Sequence, residues 1–108
     1  MNKWTDDELN EFCEKAIKLL NTKKHLQLTF VDCWLFSNSA GSNFHIRYSD
    51  KLSGKTYEIT RNGGLLQENK IGVDVVAELV NVKDIKTKII LRIAWFIYHD
   101  CKRNIGNK

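Results

Sequence analysis

The ten residues at positions 89–98 form the densest apolar run of the chain, and only Arg92 interrupts it. This run is too short to cross a bilayer, because a membrane-spanning helix takes roughly 20 apolar residues. Other elements of the chain must therefore cover it and keep it away from water.

Residues 84–103 carry the signals of a helix around this run. Asp84 is a good N-cap, and Lys102 and Arg103 complement the negative end of a helix dipole. At helical spacing, one stripe of the helix collects Ile85, Ile89, Ile93, Phe96, Ile97 and Cys101. We predict a long core helix here. A strand stays open as an alternative, because isoleucine is β-branched and periodicity does not separate buried helices from buried strands.

Further apolar residues widen that stripe to nearly the whole circumference of the helix. Leu91, Trp95 and Tyr98 can then extend beyond the core, and exposed aromatic residues often anchor protein interfaces. The sequence therefore allows a contact with another protein through these side chains, or a homodimer through Trp95 and Tyr98.

The most secure element is a helix that begins after Thr5. Thr5 and Glu8 have the spacing of a capping box, and Trp4 and Leu9 have that of a hydrophobic staple. One apolar stripe then follows at helical spacing, made of Leu9, Phe12, Cys13, Ala16, Ile17 and Leu20.

Three stretches alternate between apolar and polar residues, as expected of strands with one buried face. They cover residues 25–36, 44–49 and 56–60, and turn-forming residues separate them. In the first strand, the even positions predict a core face and the odd positions, with Val31, Cys33 and Leu35, predict a half-apolar outer face.

The alternation also predicts how the strands pair. If Trp34 lies opposite Ile46, and Ile46 opposite Ile59, the apolar residues share one face of the sheet. The same register sets Arg47 opposite Glu58. It also sets Asp32 opposite Tyr48 on the apolar face, where a carboxylate is costly unless it is paired. We expect either a bulge that turns Asp32 outward or a hydrogen bond to Tyr48.

The fold class that follows is α+β. We predict a single domain over residues 1–108, with an N-terminal helix, a three-stranded antiparallel meander sheet, and one short and one long C-terminal helix in a second layer. The short helix falls on residues 73–80. Residues 65–71 have no clear period and allow a fourth strand.

Charge and cysteine content narrow the class of protein. Residues 1–54 carry seven Lys/Arg and seven Asp/Glu, and residues 55–108 carry ten and six, so the net +4 lies in the second half. Such a bias permits contact with an acidic partner without requiring it. The three cysteines are odd in number and contain no CxxC pair. With a polar start to the chain, they predict a cytoplasmic protein without a membrane segment.

No constellation of residues indicates catalysis, a metal or a cofactor. In the predicted register, Cys33, His45 and Glu58 share the outer face, but nothing places Cys33 at a turn or helix N-terminus, where thiolates are stabilised. His99 and Cys101 are two residues apart and diverge on a helix. We predict that the chain is not an enzyme and binds neither metal nor cofactor.

The predicted order α-β-β-β-α resembles that of the double-stranded RNA-binding domain, which reads the shape of A-form RNA. The resemblance concerns element order alone, since residues 84–88 lack that family's basic, alanine-rich helix start. A nucleic-acid-binding module is therefore the alternative function. Its candidate phosphate contacts are Lys51, Lys55, Arg61, Lys70, Lys83, Lys86 and Lys88.

The preferred hypothesis is a small protein-binding module that acts as a stoichiometric inhibitor, of toxin-immunity or anti-defence type. It is favoured by more apolar and aromatic residues than one small core needs. The partner would be a protein with an acidic surface, or one that itself handles nucleic acid. The candidate interface residues are Val31, Cys33, Leu35, His45, Arg47, Trp95 and Tyr98.

Overall fold

The computed structural model describes residues 5–38, 41–62 and 85–104, apart from a few side chains at the ends of these ranges. Its elements are α1 (Asp6–Lys23), β1 (Leu28–Asn38), β2 (Gly41–Asp50), β3 (Thr56–Asn62) and α2 (Ile85–Asn104). The prediction of an α+β fold is confirmed. The predicted short helix at 73–80 and the possible strand at 65–71 lie outside the described residues.

Helix α1 begins with the predicted capping box. The Glu8 backbone N–H donates to Thr5 Oγ1 over 3.1 Å, and the Thr5 backbone N–H donates to Glu8 Oε1 over 3.0 Å. These bonds satisfy N–H groups that the first turn of any helix leaves unpaired. The whole predicted stripe from Leu9 to Leu20 is buried in the core.

The three strands form an antiparallel sheet in the order β1-β2-β3. Between β2 and β3 the predicted register is confirmed, with Ile46 opposite Ile59 and Arg47 opposite Glu58. Since alternate residues of a strand face opposite sides, these pairs define one core face and one outer face.

Between β1 and β2 the predicted register is wrong on both sides of Val31: Asp32 is not opposite Tyr48, and Trp34 is not opposite Ile46. Phe30 lies opposite Tyr48, but Asp32 lies opposite Arg47, so Val31 is an extra residue in a β-bulge. The extra residue reverses the facing of everything after it. Cys33 therefore lies opposite Ile46 on the core face, and Trp34 lies opposite His45 on the outer face.

The bulge resolves the position of Asp32 in the way that the sequence suggested. Asp32 is turned to the outer face, where its carboxylate meets the guanidinium of Arg47. The alternative, a hydrogen bond from Tyr48, is wrong, because the Tyr48 hydroxyl donates to Asp100 of α2 instead.

Residues 85–104 are helical, so the strand alternative for this stretch is wrong. Helix α2 lies on the core face of the sheet with α1, and the rings of Phe44 and Phe96 are 5.8 Å apart. Buried Asp100 joins α2 to the sheet: it accepts from the Tyr48 hydroxyl and, over 2.8 Å, from Asn104 Nδ2. A buried carboxylate is stable only with such donors.

Two asparagines of α1 bind backbone groups on the edge of β1 that faces away from β2. Asn21 acts like a peptide group towards Leu28: its Oδ1 accepts from the Leu28 N–H over 2.9 Å, and its Nδ2 donates to the Leu28 carbonyl over 3.0 Å. Asn10 Nδ2 donates to the Cys33 carbonyl over 3.2 Å. Helix α1 thus occupies part of the edge that another strand would need.

Within the ranges 5–38, 41–62 and 85–104, no helix combines the length and the apolar character that a membrane span requires.

Candidate protein-binding face

The outer face of the sheet carries a compact group of polar and aromatic side chains. They form two adjacent rows across the three strands, and both described helices lie on the other face. We call this group the outer-face cluster; it comprises Asp32, Trp34, His45, Arg47, Glu58 and Thr60.

The indole of Trp34 is the centre of the cluster. It stacks on the His45 ring, with centroids 4.8 Å apart and planes inclined by 9°. The Arg47 guanidinium carbon lies 5.2 Å from the centre of the Trp34 ring, a distance at which a cation is attracted to an aromatic face. Two neighbours therefore hold the indole on the face of the sheet opposite the two described helices.

Arg47 is held by Asp32 as well. Its Nε donates to Asp32 Oδ1 over 2.8 Å, and its Nη2 donates to the other carboxylate oxygen. This two-point hydrogen bond holds the pKa of the Asp32 carboxyl below its usual range and raises that of the Arg47 guanidinium. Both groups are thus charged at neutral pH and largely neutralise each other.

His45 links the cluster to β3. Its Nδ1 lies 2.9 Å from Thr60 Oγ1 and 3.1 Å from Glu58 Oε2. The imidazole is thus oriented by polar groups on one side while its ring supports Trp34.

The cluster has two carboxylates, Asp32 and Glu58, and one permanent cation, Arg47. With a neutral His45 its formal charge is negative, although the chain as a whole has a net charge of +4. An ordered tryptophan beside an arginine is typical of the residues that dominate protein–protein affinity.

The structure separates the interface residues predicted on β1 and β2. Val31 is 45% exposed at the bulge, and His45 and Arg47 belong to the outer-face cluster. Cys33 does not lie on the outer face as predicted: it is buried in the core, because the bulge reverses the alternation. The backbone of Leu35 pairs with Phe44, and its side chain lies outside the described residues.

Leu91 of α2 does not extend beyond the core as predicted but is buried in it, whereas Trp95 and Tyr98 are partly buried and pack against it. The Trp95 ring lies 5.5 Å from that of Phe96 and 4.6 Å from the guanidinium of Arg92. The Tyr98 ring lies beneath the ammonium groups of Lys24 and Lys102, at 5.0 and 5.3 Å. Neither residue shares a surface with the outer-face cluster.

The predicted phosphate contacts do not form one group. Lys51 and Lys55 flank the turn between β2 and β3, near the C-terminal end of α2. Arg61 ends β3 with its guanidinium over the Phe96 ring, and Lys86 and Lys88 lie in the first turn of α2. Lys70 and Lys83 lie outside the described residues.

The catalytic set that the predicted register allowed is split by the sheet. Cys33 lies on the core face, whereas His45 and Glu58 lie on the outer face. The other two thiols are also buried: burial raises the pKa of Cys101 to about 11, and a hydrogen bond with Cys33 together with burial raises that of Cys13 still further. Protonated thiols are poor nucleophiles. In the part of the chain that the structure describes, no three metal-ligating side chains lie together.

Trp34 is the functional candidate that the sequence analysis missed, because strict alternation assigned it to the core. The signal was Asp32, a charged residue on a face that was otherwise apolar. A bulge placed before Asp32 reverses the facing of all later residues of the strand, and this moves Trp34 outward.

Comparison with models of protein families, with curated proteins and with solved structures finds no match for this chain.

Proposed function

We propose that this chain is a non-enzymatic protein-binding module that docks through the outer-face cluster. It acts as a stoichiometric inhibitor of the bound protein, of toxin-immunity or anti-defence type. The observation that carries the proposal is the partly buried Trp34 indole, held against His45 and Arg47 on the face of the sheet opposite the two described helices.

The side chains of the outer-face cluster are held in place by one another, and this favours binding. A side chain that is already fixed loses little conformational entropy when a partner contacts it, at a saving of about 0.5–1.5 kcal/mol for each rotamer-rich side chain. Arg47 is fixed by Asp32, and Trp34 by His45 and Arg47. Tryptophan and arginine are also the residue types most enriched among interface hot spots.

The charge of the cluster favours a protein over a nucleic acid at this face. Asp32 neutralises Arg47, and Glu58 adds a further negative charge beside His45. A phosphate backbone would be repelled by this arrangement, whereas a polar protein surface can match it.

Inhibition by occupancy, without turnover, is supported by the chemistry of the thiols. Cys13, Cys33 and Cys101 form no disulfide and are buried, and among the described residues His45 and Glu58 lie on the face of the sheet opposite to Cys33. Compact domains of this size without cofactors are common among inhibitors, and this step is an analogy. Free thiols also support the proposed location in a reducing cytoplasm.

The experiment is an affinity capture with three forms of the protein in parallel, from native lysate of the cells that produce it and of their competitors. The wild type should retain one protein in 1:1 ratio, and Trp34→Ala should lose it, at a cost of at least about 2 kcal/mol in affinity. The matched control is the Glu11→Ala/Lys15→Ala pair, which removes an exposed ion pair of α1 and should leave capture unchanged.

A second step separates inhibition from mere binding. The captured protein is assayed for its own activity during titration with the wild type, and activity should fall linearly to an end point at one equivalent. Capture of nucleic acid alone, or equal capture by wild type and Trp34→Ala, would contradict the proposal.

A further inference from the structure

Six basic residues gather at one end of the molecule, although they come from three separate parts of the sequence. Both described helices end there, and the turn between β2 and β3 lies at the same end. We call this group the basic pole; it comprises Lys23, Lys24, Lys51, Lys55, Lys102 and Arg103.

Direct contacts bring the three segments together. Lys24 and Lys102 both place their ammonium groups over the Tyr98 ring, at 5.0 and 5.3 Å, so the ends of α1 and α2 are neighbours. The Lys51 N–H donates to the Gln27 carbonyl over 2.9 Å, which joins the β2–β3 turn to the segment that follows α1.

The side-chain carboxylates of the described segments at this end are buried. Residues 20–28, 48–57 and 98–104 contain only two, Asp50 and Asp100, which are 7% and 5% exposed. Asp100 is bound by Tyr48, Arg103 and Asn104. The solvent-facing charge of these segments is therefore positive.

Helix capping explains only part of this arrangement. Lys23, Lys102 and Arg103 lie in the last turns of their helices, where a cation complements the dipole. Lys51 and Lys55 belong to no helix, and both are exposed. They add charge to the same end without a structural need for it.

Hydrogen bonds to Asp50 close the turn that carries Lys51 and Lys55. Asp50 Oδ2 accepts from the Ser53 N–H over 3.1 Å, and the Asp50 carbonyl accepts from the Gly54 N–H over 2.8 Å. Gly54 has a φ of +76°, which glycine adopts without strain. The two lysines therefore extend from a hydrogen-bonded turn.

We propose that the basic pole binds the phosphate backbone of a nucleic acid, at a site separate from the outer-face cluster. Five of its six residues are lysines, which are depleted from protein–protein interfaces but serve as point charges for phosphate. Among the described residues no base-reading arrangement accompanies them, so we expect the binding to be independent of sequence. A module with both surfaces suits a target protein that itself handles nucleic acid.

The test is fluorescence anisotropy with labelled probes of about 20 nucleotides or base pairs: duplex RNA, duplex DNA and single-stranded RNA. Binding is measured at about 50 and 200 mM salt. If all six residues contact phosphates, the affinity for duplex DNA falls by about 10³ over that range. Lys51→Glu/Lys55→Glu should weaken binding to every probe and, for duplex DNA, reduce the slope of log K against log salt by roughly 2.

Two controls isolate the pole. Lys15→Glu/Lys18→Glu removes the same net charge at exposed positions of α1 outside the pole and should retain most of the affinity. Leu52→Ala changes the 78% exposed leucine of the same turn without changing charge, and should bind like the wild type.

Three results would overturn the proposal. They are no binding of any probe at the lower salt, the same loss of affinity in both charge-reversal variants, or binding of a poly-glutamate peptide as tight as that of the nucleic-acid probes. The last result would identify the pole as a site for acidic proteins. Binding of a partner protein through Trp34 is measured in the separate affinity-capture experiment, so either proposal can fail without the other.

Discussion

A single polar residue, Asp32, organises the outer face of the sheet. Its carboxylate holds Arg47, and Arg47 in turn lies against Trp34. The hydrogen bond from Arg47 lowers the pKa of Asp32, which makes the ion pair depend on pH. Because both side chains are more than one third exposed, solvent screening keeps the contribution of this ion pair to stability small.

We predict that Asp32→Asn lowers the free energy of unfolding by a few tenths of a kcal/mol at pH 7. The native pKa of Asp32 lies below the unfolded value of about 3.9. The stability that the charge contributes is therefore full above that unfolded value and is lost as the pH falls through the native pKa. Urea unfolding of the wild type and of Asp32→Asn at pH 7 and near pH 2.5 checks this. A difference in the free energy of unfolding that grows in acid would be inconsistent with the prediction.

At the scale of elements, the bulge in β1 sets which side chains reach solvent. Phe30 lies opposite Tyr48 and Asp32 opposite Arg47, so the two flanking pairs would be consecutive without Val31. A regular strand through these pairs keeps Phe30 inside and Asp32 outside. The extra residue therefore shifts the facing only relative to strict alternation in the sequence, and removal of Val31 restores regular pairing without moving any other side chain to the opposite face.

We predict that deletion of Val31 leaves the chain folded, with the same face pattern and with Trp34 still outside. Deletion of Thr29 is the control. It makes Leu28 and Phe30 adjacent, so one of them must leave the core face, at a cost of about 1.5–3 kcal/mol. Urea unfolding monitored by circular dichroism compares the stabilities of the two deletion variants. Equal destabilisation would show that the sheet needs the bulge.

For the whole molecule, α1 has two tasks. It covers the core face with its apolar stripe, and it binds the outward edge of β1 through Asn10 and Asn21. An edge strand with unpaired backbone groups is a template for pairing with another chain. By occupying Leu28 and Cys33, the helix reduces the part of that edge which remains open.

We predict that Asn21→Ala promotes self-association, because it frees both backbone groups of Leu28. Each unsatisfied group costs about 1–3 kcal/mol when buried, so stability falls as well. Sedimentation velocity over a range of concentrations measures the association, at a temperature where circular dichroism shows that the wild type and both variants are folded. Thr22→Ala, at the next exposed position, is the control, and identical sedimentation of all three would show that Asn21 does not protect the edge.

Local signals were enough for much of the fold. The capping box at Thr5, the apolar stripe of α1 and the β2–β3 register follow from spacings within short segments, and the structure confirms them. Such signals depend on helix and strand periods, which are properties of the backbone itself. The same holds for the position of α2, whose apolar run has to be buried.

The two surfaces required the tertiary structure. The prediction for β1 assumed that side chains alternate strictly between the two faces, and this assumption fails at Val31. A bulge depends on how two strands pair, so it leaves no periodic pattern in the sequence. Trp34 and Cys33 consequently exchanged faces relative to the prediction. The basic pole joins Lys24, Lys51 and Lys102, which are far apart in sequence and meet only because the ends of two helices and one turn converge. The sequence by itself determined the elements of this protein, whereas the packing of those elements decided which side chains share a surface.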